Sequence, residues 1–522
     1  MANVGKGIVI AAVLWITLAG VIAVAYKYIV RPGQETELEQ ATSSESKYKH
    51  TIAVALDSFS GYCVIRSKEF ERGLASDGIK LDVQDDGADY ARRAAALRDG
   101  DVQLATYTID SYITSSAALD DFPGTIVMVI DETRGADAIV TRSDVVKSIQ
   151  DLDHADARIV LTPNSPSEFL ARVVLAHFNL PSLPDDWKVD ADGAEDAYRR
   201  LGAASRDERR AYVLWEPFVS RAVEEGARVL LDSSKLRGYI VDVLVARREF
   251  LRDNPDLVAA FVGTYLRTAY SLSRQTGGMA KEVREDAERA GEKLDEKQAG
   301  QLVDGIHWKN TLENYAHFGL LPSAEAGAAT HLEDMIARIV GVLVQTGALG
   351  ADPLDGKASR IFYDGTVAKL KADGFHPARK ISILQGVDDG AKMGAVAVDA
   401  ELKKLSDEEW NKLVPVGELR VKAISFARGT SRLHIGSRRD LTELAKMLAA
   451  WPTYYVEVIG HARKEGDPEA NRKLAESRAK AARDFLVEQG LNANRVRART
   501  APSTKTNGSA QSVSFVVGQP PY

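Results

Sequence analysis

VEVIGHARKEGDPEANRKLAESRAKAARDFLVEQGLNANRVRA, residues 456–498, is the most informative stretch of this chain. It opens inside an apolar strand, YYVEVIG (454–460), and turns at Gly460-His461. A long basic helix follows from Pro468 to Gln489, with proline in its first turn and Gly490 as its stop. RVRART (495–500) then reads as a strand. Upstream, LRVKAISF (419–426) reads as a strand and Leu441–Trp451 as a helix with apolar residues at helical spacing. QSVSFVV (511–517) is the last strand. The order βαβαββ predicts a small α/β sandwich over residues 414–518.

The phrases ISFARGTSRL, LTELAKMLAAWP and the stretch quoted above resemble an OmpA-like peptidoglycan-binding domain. Gly460, His461, Asn471, Leu474, Arg478 and Ala479 match that family's pattern. The resemblance implies recognition of the cell-wall stem peptide, with His461, Arg463, Asn471 and Arg478 at the site. Arg478 stands where the family's arginine offers a planar fork of donors to a diaminopimelate carboxylate. Two departures alter that site. Arg463 stands where the family has an aspartate that receives an amino group, and Ala510, Gln511 and Ser512 replace an Asn-Arg-Arg run. Glu465 and Asp467, in the same loop, are the candidates to replace the aspartate; a retained fold with another partner is the alternative.

Working outward, charge changes sign along the chain. Residues 415–522 carry 18 Lys+Arg against 10 Asp+Glu, leaving 49 against 64 for residues 1–414. A basic module on an acidic body fits an anionic partner for the C-terminus, or simply drift in surface charge. The length of 522 residues requires several domains. The one cysteine, Cys63, has no intramolecular disulfide partner and lacks the neighbours of a metal site. No metal, cofactor or nucleic-acid partner is expected.

Before the basic module, residues 50–373 alternate strand and helix. TIAVAL (51–56), IKLDVQ (79–84) and VQLATY (102–107) read as strands, with helices Lys68–Ser76 and Tyr90–Arg98 between them. TIVMVI (125–130), ADAIVT (136–141), RIVLTP (158–163), AYVLWE (211–216), RVLLDS (228–233) and VDVLVARR (241–248) extend the list. A helix is expected from Ser167 to Phe178, and helices dominate from Asn254 to about Gly347. Gly365–Asp399 reads as weakly patterned linker with some strand, and residues 374–413 as the linker proper. Ser406-Asp407-Glu408-Glu409 fits a capping box opening a short helix to Leu413. No internal repeat is visible.

Five phrases in order, SFSGYCVI, DETRGADAIVTRSDVVKSIQDL, PNSPSEFL, LWEPFVSRAVEEGARVLLDSS and VDVLVARREFLRDNPDLVAAFV, resemble the type-II periplasmic solute-binding proteins of the nitrate, sulfonate and thiamine-precursor kind. The resemblance implies two α/β lobes closing on a solute, as in an ABC-transporter substrate-binding or sensing protein. Ligands of open α/β sheets bind beyond the carboxyl ends of the strands. That rule makes Asp57, Ser60, Gly61, Tyr62, Thr108, Asp110, Asp131, Asp137, Ser165, Ser167, Trp215, Glu216 and Asp232 the candidate ligand residues. Ser165 and Ser167 precede a helix and suit an oxyanion, or Ser167 simply caps that helix. Trp215 and Tyr62 suit stacking, or core packing. Several carboxylates facing one cleft would repel an anion and favour a cationic or zwitterionic ligand; capping helices or facing solvent is their ordinary alternative. No catalytic set is visible: no histidine lies near Cys63 in sequence, and the expectation is a binding protein rather than an enzyme.

The N-terminal run GIVIAAVLWITLAGVIAVAY (7–26) carries no charge and is long enough to cross a bilayer. An uncleaved anchor over residues 1–30 and a polar tether over 31–49 are expected; Ala23-Val24-Ala25 offers the rival of a cleaved signal peptide. The whole then reads as a single-pass inner-membrane protein with its bulk in the periplasm. Expected partners are a small solute, peptidoglycan, the membrane, and a permease or envelope complex. A structural, stator-like link between membrane and wall is the alternative, although no ionisable residue lies in the span to support ion conduction.

Overall fold

The computed structural model describes residues 48–119, 121–327, 329–379, 393–396, 402–462, 466–501 and 513–520. The expected membrane span and the tether up to residue 47 lie outside these. Among the described residues no helix is long and apolar enough to cross a membrane.

The chain begins with β1 (His50–Leu56), β2 (Ile79–Asp85), β3 (Leu104–Thr108) and β4 (Gly124–Thr133). It then crosses into β5 (Asp137–Thr141), β6 (Arg158–Leu161), β7 (Lys188–Asp190), β8 (Arg210–Trp215) and β9 (Arg228–Asp232). It returns through β10 (Val241–Arg247) and β11 (Ile306–Trp308). Two separate sheets result, ordered β11-β4-β10-β3-β1-β2 and β7-β6-β8-β5-β9. β3 and β4 are buried at every residue, which explains their unbroken apolar runs: a sheet covered on both faces needs no polar alternation.

The two sheets share one plan that the sequence does not reveal. In lobe 1, β1 pairs parallel with β2 and β3, and β10 inserts antiparallel between β3 and β4. In lobe 2, β6 pairs parallel with β7 and β8, and β5 inserts antiparallel between β8 and β9. Each inserted strand has just crossed from the other lobe. The two lobes are therefore joined by the crossings at residues 134–136 and 233–240. Behind the crossings the helix Leu332–Gln345 meets the lobe 2 helix Pro166–His177: Gln345 Nε2 donates to Ala176 O at 2.8 Å, and Arg172 Nη1 to Thr346 O at 2.9 Å.

Several expectations change. β7 and β11 were not expected, since three residues show no periodicity. Gly365–Ala372 is a helix rather than linker with strand; it packs on the helix Pro255–Arg274, and Arg267 lies over the Phe375 ring just beyond it at 5.2 Å. Residues 393–396 run against lobe 1, where Asn310 Nδ2 donates to Ala395 O at 2.9 Å.

The C-terminal module has β12 (Val414–Glu418), β13 (Tyr455–Gly460), β14 (Val496–Thr500) and β15 (Val513–Gln519), ordered β12-β15-β13-β14. Helices Ile435–Ala449 and Pro468–Glu488 complete the βαβαββ order. The Ser406 capping box is present, with Glu409 as its reciprocal partner. The first strand is Val414–Glu418 rather than the expected 419–426. Beyond Glu418 the chain turns toward the lobes. Leu419 N–H still donates to Phe515 O of β15 at 2.8 Å, but Leu419 also bridges Phe178, and Arg420 N–H donates to His177 O at 2.7 Å. Asn179 N–H donates to Glu418 O at 2.8 Å, and Arg237 N–H to Ala450 O at 2.7 Å. Trp451, wholly buried, stacks on Phe178 (5.7 Å, 21°) and meets the His177 ring edge-on (5.3 Å). The module thus rests on the end of a lobe 2 helix and on the second crossing.

Candidate functional site

A cleft of about 670 Å³ lies between the lobes, where the carboxyl ends of parallel strands from both sheets face each other. Asp57 follows β1, Asp85 ends β2, Thr108 ends β3 and Thr133 ends β4; the antiparallel β10 brings its first residues, including Asp242, to the same end. From lobe 2 come Thr162 after β6, Asp192 after β7, Trp215 and Glu216 at the end of β8, and Asp137 at the start of β5.

Of the candidates, Asp57, Ser60, Tyr62, Thr108, Asp137, Ser165, Trp215 and Glu216 line this cleft. Five do not. Gly61 turns its carbonyl to Trp308, whose Nε1 donates at 2.8 Å, and a Cβ on Gly61 would lie 2.3 Å from Phe59 Cε1 and 2.4 Å from Asp131 Oδ2. Asp110 is buried in the first turn of the helix Ile109–Ala117, and that burial pushes its carboxyl up to about 7. Asp131 lies behind Asp242, its direct cross-strand neighbour. Ser167 lies inside the helix it was expected to precede or cap; Ser165 is the cap and accepts from Ser167 N–H at 3.2 Å. Asp232 caps a short 3-10 turn by accepting from Ser234 N–H at 2.8 Å.

The sequence reading missed Asp242, Tyr90, Phe59, Phe218 and Arg66, all of which line the cleft. Asp242 did leave a trace, being the one carboxylate in the apolar run VDVLVA.

The electrostatics set Asp57 apart from Asp242. Behind Asp57 lies Arg93, wholly buried, donating to Asp57 Oδ2 at 2.9 Å and to Asp86 at 2.5 Å. Its guanidinium sits between the Tyr90 and Tyr107 rings at 4.9 and 5.4 Å. The charge of Asp57 is thereby answered within the protein. Asp242 receives the Tyr62 hydroxyl on Oδ1; among the described residues no N–H and no other hydroxyl reaches its Oδ2 or either oxygen of Asp131, and the two carboxyls meet each other. Burial first, then repulsion from Asp131, holds the Asp242 carboxyl well above the ordinary range, and burial raises Asp131 as well. On the facing lobe, burial pushes Asp137 up to about 7 and raises Glu216.

The cleft's two guanidinium groups are both engaged. Arg66 pairs with Asp286 and donates to Phe59 O at 2.9 Å, while Arg289 pairs with Glu282 at 2.8 Å and Asp286 at 3.2 Å. Beside the helix N-terminus at Ser165, Glu168 Oε2 accepts from Asn164 N–H at 2.9 Å, and Glu168 pairs with Arg172 and Lys188. Cys63 is buried away from the cleft, and that burial pushes its thiol well up. Among the described residues no group of carboxylates, histidines and cysteines is arranged to hold a metal ion.

In the C-terminal module, His461 Nε2 lies 2.8 Å from Ser514 Oγ at the end of β13. Arg478 donates from Nε to Thr430 O at 3.0 Å and lies over the Phe426 ring at 5.2 Å. Asn471 lies two turns before Arg478 on one helix, whose cap is Asp467. Arg463 and Glu465 lie outside the described residues, as do Ala510, Gln511 and Ser512.

Comparison with known proteins agrees with this division. Residues 425–513 match the OmpA family. The peptidoglycan-associated lipoproteins of Brucella melitensis and Agrobacterium fabrum are each 35% identical over 74 residues, 14% of this chain and 44% and 42% of theirs. The chain thus spans less than half the length of these curated relatives. Among solved structures, the alkanesulfonate-binding protein SsuA from Xanthomonas axonopodis pv. citri bound to MOPS is 16% identical, covering 61% of this chain and 99% of that one, with a TM-score of 0.46. The periplasmic nitrate-binding protein NrtA from Synechocystis PCC 6803 is 12% identical, covering 63% and 92%, with a TM-score of 0.44. The strand orders themselves define the two-lobed binding-protein fold; the OmpA-type domain follows it.

Proposed function

We propose that this chain is an envelope binding protein that captures a small organic solute between its lobes and is held at the cell wall by its C-terminal domain. The observation that carries the reading is the cleft itself: about 670 Å³, within the range of small-molecule sites, and walled by Phe59, Tyr62 and Tyr90 from lobe 1 and Trp215 and Phe218 from lobe 2. Two crossings between lobes suit closure on a ligand. Asp57, Ser60, Tyr62, Thr108, Asp137, Ser165, Trp215 and Glu216 are the proposed contacts.

The OmpA match supports peptidoglycan as the wall partner, with Arg478 offering the fork to a stem-peptide carboxylate. The charge-free run at residues 7–26 supports an inner-membrane anchor, with the bulk in the periplasm and a permease or envelope complex as membrane partner. Membrane and wall tethers together hold the binding domain at a fixed depth and raise its effective concentration near such a partner.

Thermal-shift screening of the full chain in mild detergent tests capture. A ligand at 100 times its Kd stabilises by about 2.7 kcal/mol, a shift of a few degrees. The shift is expected to vanish in Trp215→Ala. Co-sedimentation with purified peptidoglycan tests the wall reading, with Arg478→Ala expected to release the chain. A flat solute screen alongside retained wall binding would move the weight to a structural link, with the lobes as a protein-binding spacer.

A further inference from the structure

Asp242 and Asp131 stand directly opposite each other on adjacent antiparallel strands, and Thr108 stands opposite Asp242 on its other side. Like charges directly opposite in a sheet are destabilising, and burial makes them more so. A fold has no structural need for such a pair; two apolar residues would pack better. Asp242 lines the cleft, 1% exposed, with the Tyr62 hydroxyl on its Oδ1 and Asp131 behind it. Apart from Tyr62 and the neighbouring carboxyl of Asp131, no donor among the described residues reaches this carboxyl. The other cleft carboxylates do not share this state: Asp57 has Arg93, and Asp286 has Arg66 and Arg289.

Resting on the capture reading above, we propose that the solute is a small organic cation, whose ammonium group sits on Asp242 Oδ2 with Asp131 behind it and the Tyr62 ring beside it. Three features of the chemistry fit. A buried carboxylate pair is relieved by one positive charge. Aromatic faces attract ammonium groups, and Tyr62 and Phe59 meet edge-on at 5.3 Å at this floor. An anion finds no spare cation, because the two cleft guanidinium groups are already paired with Asp286 and Glu282. Asp137 on lobe 2 offers a second carboxyl to a ligand that bridges the lobes.

Burial holds both carboxyls above the ordinary range, so a bound ammonium displaces a proton from the pair. The titratable groups around the pair are Tyr62, Cys63, Asp57, Tyr90, Asp137, Glu132, Lys309 and Tyr265. Lys309 is paired with Glu132 at 2.6 Å.

The test is titration calorimetry of the full chain with putrescine, choline and methanesulfonate. An amine is expected to bind, and Asp242→Asn to weaken it roughly 10- to 100-fold, the usual loss for a hydrogen bond to a charged group. Folding of the variant is checked by its thermal midpoint, which relief of the like-charge pair is expected to raise. The parent protein gives an independent reading: proton release makes the heat of binding differ between phosphate and Tris buffers. An amine that binds Asp242→Asn as tightly, or methanesulfonate binding in place of the amines, overturns the cation assignment while capture stands. Silence toward all three probes counts against capture itself.

Discussion

Asp137 begins β5 on the lobe 2 wall of the cleft, 5% exposed, and burial holds its carboxyl up to about 7. Its value in the unfolded chain is about 3.9. The folded state therefore binds this proton more readily than the unfolded one. The carboxyl costs no stability below about pH 4; the penalty grows as pH rises and is complete above about 7. Asp137→Asn removes a group that must ionise in a buried place. Its stability should exceed the parent's at pH 8 by up to about 4 kcal/mol, read as a higher melting temperature, and converge with it near pH 4. Parallel melts at the two pH values check this, and an equal gain at both would assign the effect to packing instead.

Glycines decide two elements. Gly61 is where the loop after β1 turns into the short helix Cys63–Arg66, and Phe59 and Asp131 occupy the space of a Cβ there. Gly61→Ala must displace Phe59 or Asp131, so ligand affinity should fall together with a loss of about 1–3 kcal/mol in stability. Gly460 ends β13 under the helix Pro468–Glu488; its Cβ would lie 2.1 Å from Ala475 O, a backbone atom that cannot swing away. Gly460→Ala should destabilise the C-terminal module by a similar roughly 1–3 kcal/mol and lower peptidoglycan retention, with the solute cleft unaffected. Denaturant titration with separate probes in the two domains resolves the difference.

For the whole molecule, the contact between the C-terminal module and the lobes is the feature with most consequence. Arg495, 5% exposed, donates to Leu448 O, Trp451 O and Tyr454 O, and so fixes the turn that carries Trp451 onto Phe178 and His177. Burial, then Arg338 and Arg420, hold the His177 imidazole down to about 4. This group contributes stability that is full above its unfolded value of about 6.5 and is lost as pH falls toward 4. Trp451→Ala should cost about 3–5 kcal/mol of docking. One cooperative calorimetric transition should then become two, and scattering should show an extended particle. An unchanged single transition would mean that the contact does not couple the domains.

Much of this was legible in the sequence because it is local. Nine strands of the two lobes show as apolar runs between turn signals, the Ser406 box is set by two side chains three residues apart, and the Gly460–Arg478 spacing announced the C-terminal domain. Only the tertiary structure decided what depends on register and packing. The shared strand plan of the lobes comes from exchange of β5 and β10, which leaves no repeat in sequence. The first strand of the C-terminal module ends at Glu418, where Leu419 and Arg420 pair with Phe178 and His177, some 240 residues earlier. Asp57 and Asp242 look alike in sequence; the buried Arg93 behind one and the carboxyl of Asp131 beside the other give them opposite characters, since a charge buried away from water is defined by its nearest partner.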